Sequence, residues 1–155
     1  MTHKERIRRT LACASYSCPG MPHPKQRRPL EQCAKVAIVG SPTVDTFHWP
    51  YLCKMLDRAT FGLVEPTILT FGYSKRVIDQ LVKRWCSLNW YVMMVYYLDH
   101  GRAKPTNAFD HRVEQMCADA DYLIVFQDDD VEDRLVNRMT TQARKVGVKI
   151  KKFNI

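Results

Sequence analysis

Five short runs of β-branched and aromatic residues alternate with four stretches whose apolar residues recur at helical spacing, and this alternation leaves very few folds open. The first run, Lys35-Val-Ala-Ile-Val-Gly40, is apolar throughout and ends at glycine. Such a run predicts a strand buried on both faces. Residues 64–71, 90–98, 122–126 and 148–153 predict four more strands.

Between the first two runs, Leu52, Met55, Leu56 and Ala59 fall on one helical face. Pro50 sits in the first turn, where its missing N–H costs nothing, and Gly62 stops the helix. The second helix is the clearest. Val77, Ile78, Leu81, Val82, Trp85 and Leu88 form its stripe, with Ser74 as the expected N-cap. A polar loop over 99–106 precedes a third helix, capped by Asn107, with Phe109, Val113, Met116 and Cys117 facing inward. The fourth is expected to start at Asp130, to carry Val131, Leu135, Met139, Ala143 and Val146 inward, and to end at Gly147.

Strands joined through helices run parallel, by right-handed crossovers, with helices on both faces. The expectation is therefore an α/β fold: a three-layer Rossmann-like domain over 35–155 with a five-stranded parallel sheet. A basic N-terminal arm, residues 1–34, precedes it. The arm holds Pro19, Pro22, Pro24 and Pro29 without a period of 2 or 3.6, and so reads as extended, mobile chain.

Charge is unevenly placed. The net +8 divides into +5 on residues 1–34, seven basic side chains against Glu5 and Glu31, and +3 on the rest. Arg6, Arg8, Arg9, Lys25, Arg27 and Arg28 are the candidate contacts to a nucleic acid, or to a protein partner. The alternative is a solvated tail.

Six cysteines stand at 13, 18, 33, 53, 86 and 117. A disulfide scaffold is shorter and denser in cysteine. Cys53, Cys86 and Cys117 lie near helical stripes and read as reduced core residues. Cys13, Cys18, His23 and Cys33 match no common structural zinc spacing, so no metal site is assigned. No run of about 18 apolar residues is present, so no membrane span is expected. The charged start lacks the apolar stretch of a secretory signal, and the expected location is the cytoplasm (of the host, if the chain is viral).

In sheets of this type ligands bind beyond the carboxyl ends of the strands, where strand order reverses. Three loops then matter. Gly40-Ser41-Pro42 offers backbone amides and a hydroxyl to a ligand, or is simply a turn. Gly72, Tyr73, Ser74, Lys75 and Arg76 open the second helix, where free N–H groups attract anions; Lys75 and Arg76 alternatively form the polar face of that helix. Asp128, Asp129, Asp130, Glu132 and Asp133 follow the fourth strand. Acids there suit the helix dipole, hold a divalent cation, or supply a general base. His100, Arg102, Lys104, His111 and Arg112 form a basic rim opposite, and His48 and Trp49 are placed to stack on a base.

These segments resemble the SLOG superfamily, and more closely its small YspA/YpsA-type members of bacteria and phages. Val36 through Pro42 is similar to that family's strand ending in Gly-Ser-Arg, with Pro42 in place of arginine. Gly72 through Leu81 resembles its glycine-rich segment, with Val77 for a glycine. Arg112 and Met116 fit its Arg-Asn-x-x-Met helix, with Val113 in place of asparagine, and Ala120-Asp121 through Phe126 its Ala-Asp strand. Gln127 through Asp130 stands where the family has a Gly-Thr loop, and Ala143 through Ile150 is similar to its closing segment.

The resemblance implies strand order 3-2-1-4-5 and a nucleotide or nucleotide-derived ligand. Gly40, Ser41, Gly72, Tyr73, Ser74, Lys75 and Arg112 would be its contacts. No resident cofactor is assigned, and a homo-oligomer is allowed. The first reading is a binding module, non-catalytic and acting through a partner, or holding the ligand itself. The second is an enzyme, a nucleoside N-glycosidase or deoxyribosyltransferase-like protein, with Asp128, Asp129 or Asp130 as acid, base or nucleophile. The third is a nucleic-acid or ribonucleoprotein component held by its arm.

Overall fold

The computed structural model describes residues 33–71, 76–96 and 105–155, with side chains in the last stretch from Asp110 and Phe109 onward. In chain order the elements are β1 (Lys35–Gly40), a 3-10 turn (Thr46–His48), α1 (Trp49–Ala59), β2 (Thr67–Phe71), α2 (Val77–Asn89), β3 (Met93–Tyr96), α3 (Pro105–Asp119), β4 (Tyr122–Gln127), α4 (Arg134–Val146) and β5 (Lys149–Asn154). The sheet is all parallel, in the order β3-β2-β1-β4-β5. This is the expected α/β architecture.

Strand alternation sends successive side chains to opposite faces. On one face Val36, Ile38, Ile68, Ile124 and Phe126 meet Leu52 and Leu56 of α1 and Ile78, Val82 and Trp85 of α2. On the other, Ala37, Val39, Leu69, Leu123 and Val125 meet Val113 and Met116 of α3 and Met139 and Ala143 of α4. Each fully buried aliphatic side chain contributes about 1.5–3 kcal/mol, so these two layers dominate stability. Trp85 Nε1 donates to Asp57 Oδ1 at 3.0 Å, tying α2 to α1.

Element edges differ from expectation where the backbone departs from the apolar pattern. β2 starts at Thr67, not at 64, because Glu65 adopts a left-handed φ of 49° just before Pro66. Val64 is consequently exposed. α2 starts at Val77 with Arg76 in the cap position, extended and making no side-chain cap, in place of Ser74. Leu88 is exposed, and Cys86 takes the buried position.

α3 starts at Pro105, ahead of Asn107. α4 starts after Asp133, whose carboxylate accepts from Val136 N; Asp130 lies outside the helix. Its buried face is Val136, Met139, Thr140 and Ala143, while Val146 is exposed. Gly147 ends α4 in the left-handed region, φ 83°, as expected. Cys33, Cys86 and Cys117 are buried free thiols and Cys53 is half-buried. Burial pushes the Cys86 thiol up to about 12 and the Cys117 thiol up to about 11. No helix of the described residues is long and apolar enough to cross a membrane.

Candidate functional site

The parallel register sets Gly40 level with Phe126, so the chains leaving β1 and β4 emerge side by side at the carboxyl edge. The sheet order reverses direction between these two strands. Ser41 N donates to Phe126 O at 2.9 Å and prolongs the pairing by one bond. Ser41 is buried, and its Oγ accepts from Asp128 N at 2.9 Å. Val44 N donates to Ser41 O at 3.2 Å and closes the turn through Pro42.

Asp128 completes the joint. Its Oδ2 accepts from Thr43 Oγ1 at 2.8 Å and its Oδ1 from Asp130 N at 3.0 Å. Both carboxylate oxygens therefore hold loop to loop. Asp129 and Asp130 are exposed. Among the described residues no group of three or more His, Cys, Asp or Glu side chains is arranged to hold a metal ion.

The glycine at the tip of β1 has a packing reason. A Cβ built on Gly40 would lie 3.0 Å from Ile78 Cγ1 and 3.1 Å from its Cδ1. Ile78, in the first turn of α2, thus fills the space a side chain would need. The close approach made at Gly40 is that of helix to strand.

Arg76 bridges the same point. Its Nη1 donates to Gly40 O at 3.0 Å. Its two terminal nitrogens grip Asp133, Nη1 to Oδ2 at 2.6 Å and Nη2 to Oδ1 at 2.7 Å. A bidentate guanidinium–carboxylate pair is among the stronger charge-assisted contacts. Asp133 also caps α4. One ion pair therefore clasps the starts of α2 and α4 across the tip of β1. Burial pushes the Asp133 carboxyl up, but the hydrogen bonds from Arg76 and Val136 N outweigh it, and the net effect is below the usual value. Arg76 and Asp133 lie 57 positions apart. The sequence reading put the cap at Asp130, three residues too early, and nothing local in the sequence pairs Asp133 with Arg76.

Other candidates sit elsewhere. Arg112 lies on α3 and donates from Nη1 to Gln115 Oε1 at 3.1 Å along its own helix. His48 Nδ1 accepts from Asp45 N at 2.9 Å, forming a capping box for the 3-10 turn. Trp49 carries the Arg84 guanidinium 4.6 Å above its ring and packs against the core. His111 is exposed on α3. Gly72, Tyr73, Ser74 and Lys75 lie outside the described residues, as do His100, Arg102 and Lys104. So do Arg6, Arg8, Arg9, Lys25, Arg27 and Arg28, and the cysteine–histidine group Cys13, Cys18 and His23.

Of the expected ligand contacts, the structure brings together Gly40 and Ser41 and adds Thr43, Arg76, Asp128 and Asp133 around them. Compared with known proteins, the chain matches no family model, no curated protein and no solved structure.

Proposed function

We propose that the chain is a non-catalytic module binding a nucleotide or nucleotide-derived ligand over the carboxyl ends of β1 and β4. The observation that carries this reading is the topological reversal in a five-stranded parallel sheet, with the Gly40-Ser41 and Gln127-Asp128 tips adjacent at that point. Crevices at such reversals are where open α/β sheets take their ligands. The motif likeness of Val36 through Pro42 and of Ala120 through Phe126 to SLOG proteins supports the same ligand class.

A binding role is favoured over glycosidic-bond chemistry by how the carboxylates are used. Asp128 spends both oxygens on Thr43 and Asp130, Asp133 is held by Arg76, and Asp129 and Asp130 are exposed to solvent with no neighbouring group among the described residues that orients their carboxylates. A nucleophile or general base must instead face the reacting atoms.

Thermal denaturation in the presence of nucleosides, nucleoside mono- and diphosphates and inorganic phosphate tests the proposal. A ligand at a hundred times its Kd stabilises by about 2.7 kcal/mol. A rise in midpoint with a phosphorylated nucleoside, larger than with its nucleoside or with phosphate alone, is expected. No rise with any of them overturns the reading. Release of free base during the incubation would overturn its non-catalytic part.

A further inference from the structure

From Arg134 to the last residue, Ile155, the chain holds seven basic side chains and not one aspartate or glutamate. They are Arg134, Arg138, Arg144, Lys145, Lys149, Lys151 and Lys152, and all are exposed. The fold spreads them over α4 and the edge strand β5: Lys149 and Lys151 point to the α1 side of the sheet, Arg134 and Arg138 toward α3, and Arg144, Lys145 and Lys152 remain where α4 packs against β5. The acids nearest before it in the chain lie in the loop leading to α4, at the carboxyl edge, while Asp110 of α3 and Asp121 before β4 adjoin it in space.

Two of the seven are engaged by oxygen acceptors. Arg138 pairs with Asp110, and Lys151 Nζ donates to Ala59 O. Arg134 and Lys149 lie over the rings of Phe109 and Tyr122. Arg144, Lys145 and Lys152 face no carboxylate among the described residues.

Arg144 and Lys145 complement the dipole at the end of α4, and lysines on an edge strand discourage pairing with another strand. Neither effect requires both elements to be basic at once. Nor does either require that every acid be missing over the whole segment. Lys152 shares its strand face with Ile150, which packs beneath α4, so it projects on the side where Arg144 and Lys145 lie.

The flank also adjoins the root of the basic arm. Asp121 N donates to Lys35 O at 2.8 Å, and Lys149 N donates to Asp121 O at 3.3 Å. The Asp121 carboxylate accepts from Lys35 N, so its charge is directed at β1. Residues 1–34, net +5, therefore join the domain two hydrogen bonds from Lys149, at the edge opposite the ligand crevice.

We infer that the α4–β5 flank grips the phosphodiester backbone of a nucleic acid, with Arg144, Lys145 and Lys152 as direct phosphate contacts. The flank is a second surface, independent of the proposed nucleotide crevice. Three cations without a carboxylate partner among the described residues, on the side of the fold where the basic segment 1–34 joins it, fit a long polyanion better than a compact acidic protein. The contact is to backbone, so RNA and DNA share the chemistry.

The test uses the full chain and its variant R144Q/K145Q/K152Q, with binding to a labelled mixed-sequence RNA strand and DNA duplex followed across salt. The three side chains are exposed, and an unchanged thermal midpoint verifies the fold. Loss of three contacts should lower the salt slope by about 2 on the strand and nearly 3 on the duplex. Raising salt from about 50 to 200 mM would then cost the parent roughly 40-fold more duplex affinity than it costs the variant. The relative slopes on RNA and DNA identify the source of the backbone.

A second variant, R6Q/R8Q/R9Q, separates the arm. The inference falls if only the arm variant flattens the slope. It falls equally if the parent binds neither nucleic acid, or binds anionic phosphatidylserine vesicles in their place.

Discussion

Gly40 illustrates how one residue type serves two different ends. In the sequence it looks like a residue that admits a ligand; in the fold its bare α-carbon admits Ile78. Gly40→Ala should destabilise by about 1–3 kcal/mol, the usual cost of overpacking. In an Ile78→Ala background, where Cγ1 and Cδ1 are gone, the same change should cost much less. Equal costs in both backgrounds, by urea denaturation, would refute the packing explanation. Asp133 gives a pH-dependent counterpart. Its folded-state carboxyl titrates below the ordinary 3.8, so its contribution is fully present above that value and is lost as pH falls through the lower, folded-state value. Asp133→Asn keeps an acceptor for Val136 N but removes the charge paired with Arg76. The variant should melt lower than the parent at neutral pH, with the gap closing in acid. A gap independent of pH would mean that the ion pair adds nothing.

At the scale of elements, the strands and helices are set by apolar periodicity, and their ends by single backbone events. α4 ends because Gly147 takes a φ of 83°, which an alanine adopts only under strain. Gly147→Ala should cost about 1 kcal/mol, read as a lower thermal midpoint. β2 begins with a different kind of local conflict. Thr67 is fully buried, and its Oγ1 finds no hydrogen-bond partner among the described residues. An unsatisfied buried hydroxyl costs on the order of 1–3 kcal/mol. Thr67→Val, which keeps the β-branched shape, should therefore be neutral or stabilising by up to that amount. Clear destabilisation would point to a partner such as a buried water. The sequence placed all nine main elements in order, because periods of 2 and 3.6 are local properties. It misplaced the starts of α2 and α4, because both are fixed by Arg76 and Asp133 reaching each other across the sheet.

For the whole molecule, order in the sheet matters more than order in the chain. β1 is first among the described strands yet central, hydrogen-bonded to β2 and β4 and covered on both faces. β5 is last, at an edge, and largely exposed. Native-state hydrogen exchange should protect the amides of β1 and β4 most and those of β5 least, since edge strands open with little loss of buried contact. Similar protection in β5 and β1 would indicate that something covers the edge, and addition of nucleic acid should raise protection there if the α4–β5 flank is its seat.

The amino-acid sequence by itself determined the alternation of strands and helices, the parallel sense of the sheet and most of the buried helical stripes, though Leu88 and Val146, read as inward, are exposed. These follow from hydrophobic period and from the length of chain needed for a crossover. It also marked Gly40, Ser41 and the acids after β4 as residues meeting at one edge. Tertiary structure alone decided what those residues do to one another: that Ile78 occupies the space above Gly40, that Asp128 binds Thr43, and that Arg76 clasps Asp133. Such contacts join positions far apart in the chain, and their geometry depends on how helices settle on the finished sheet. No local pattern encodes that distance.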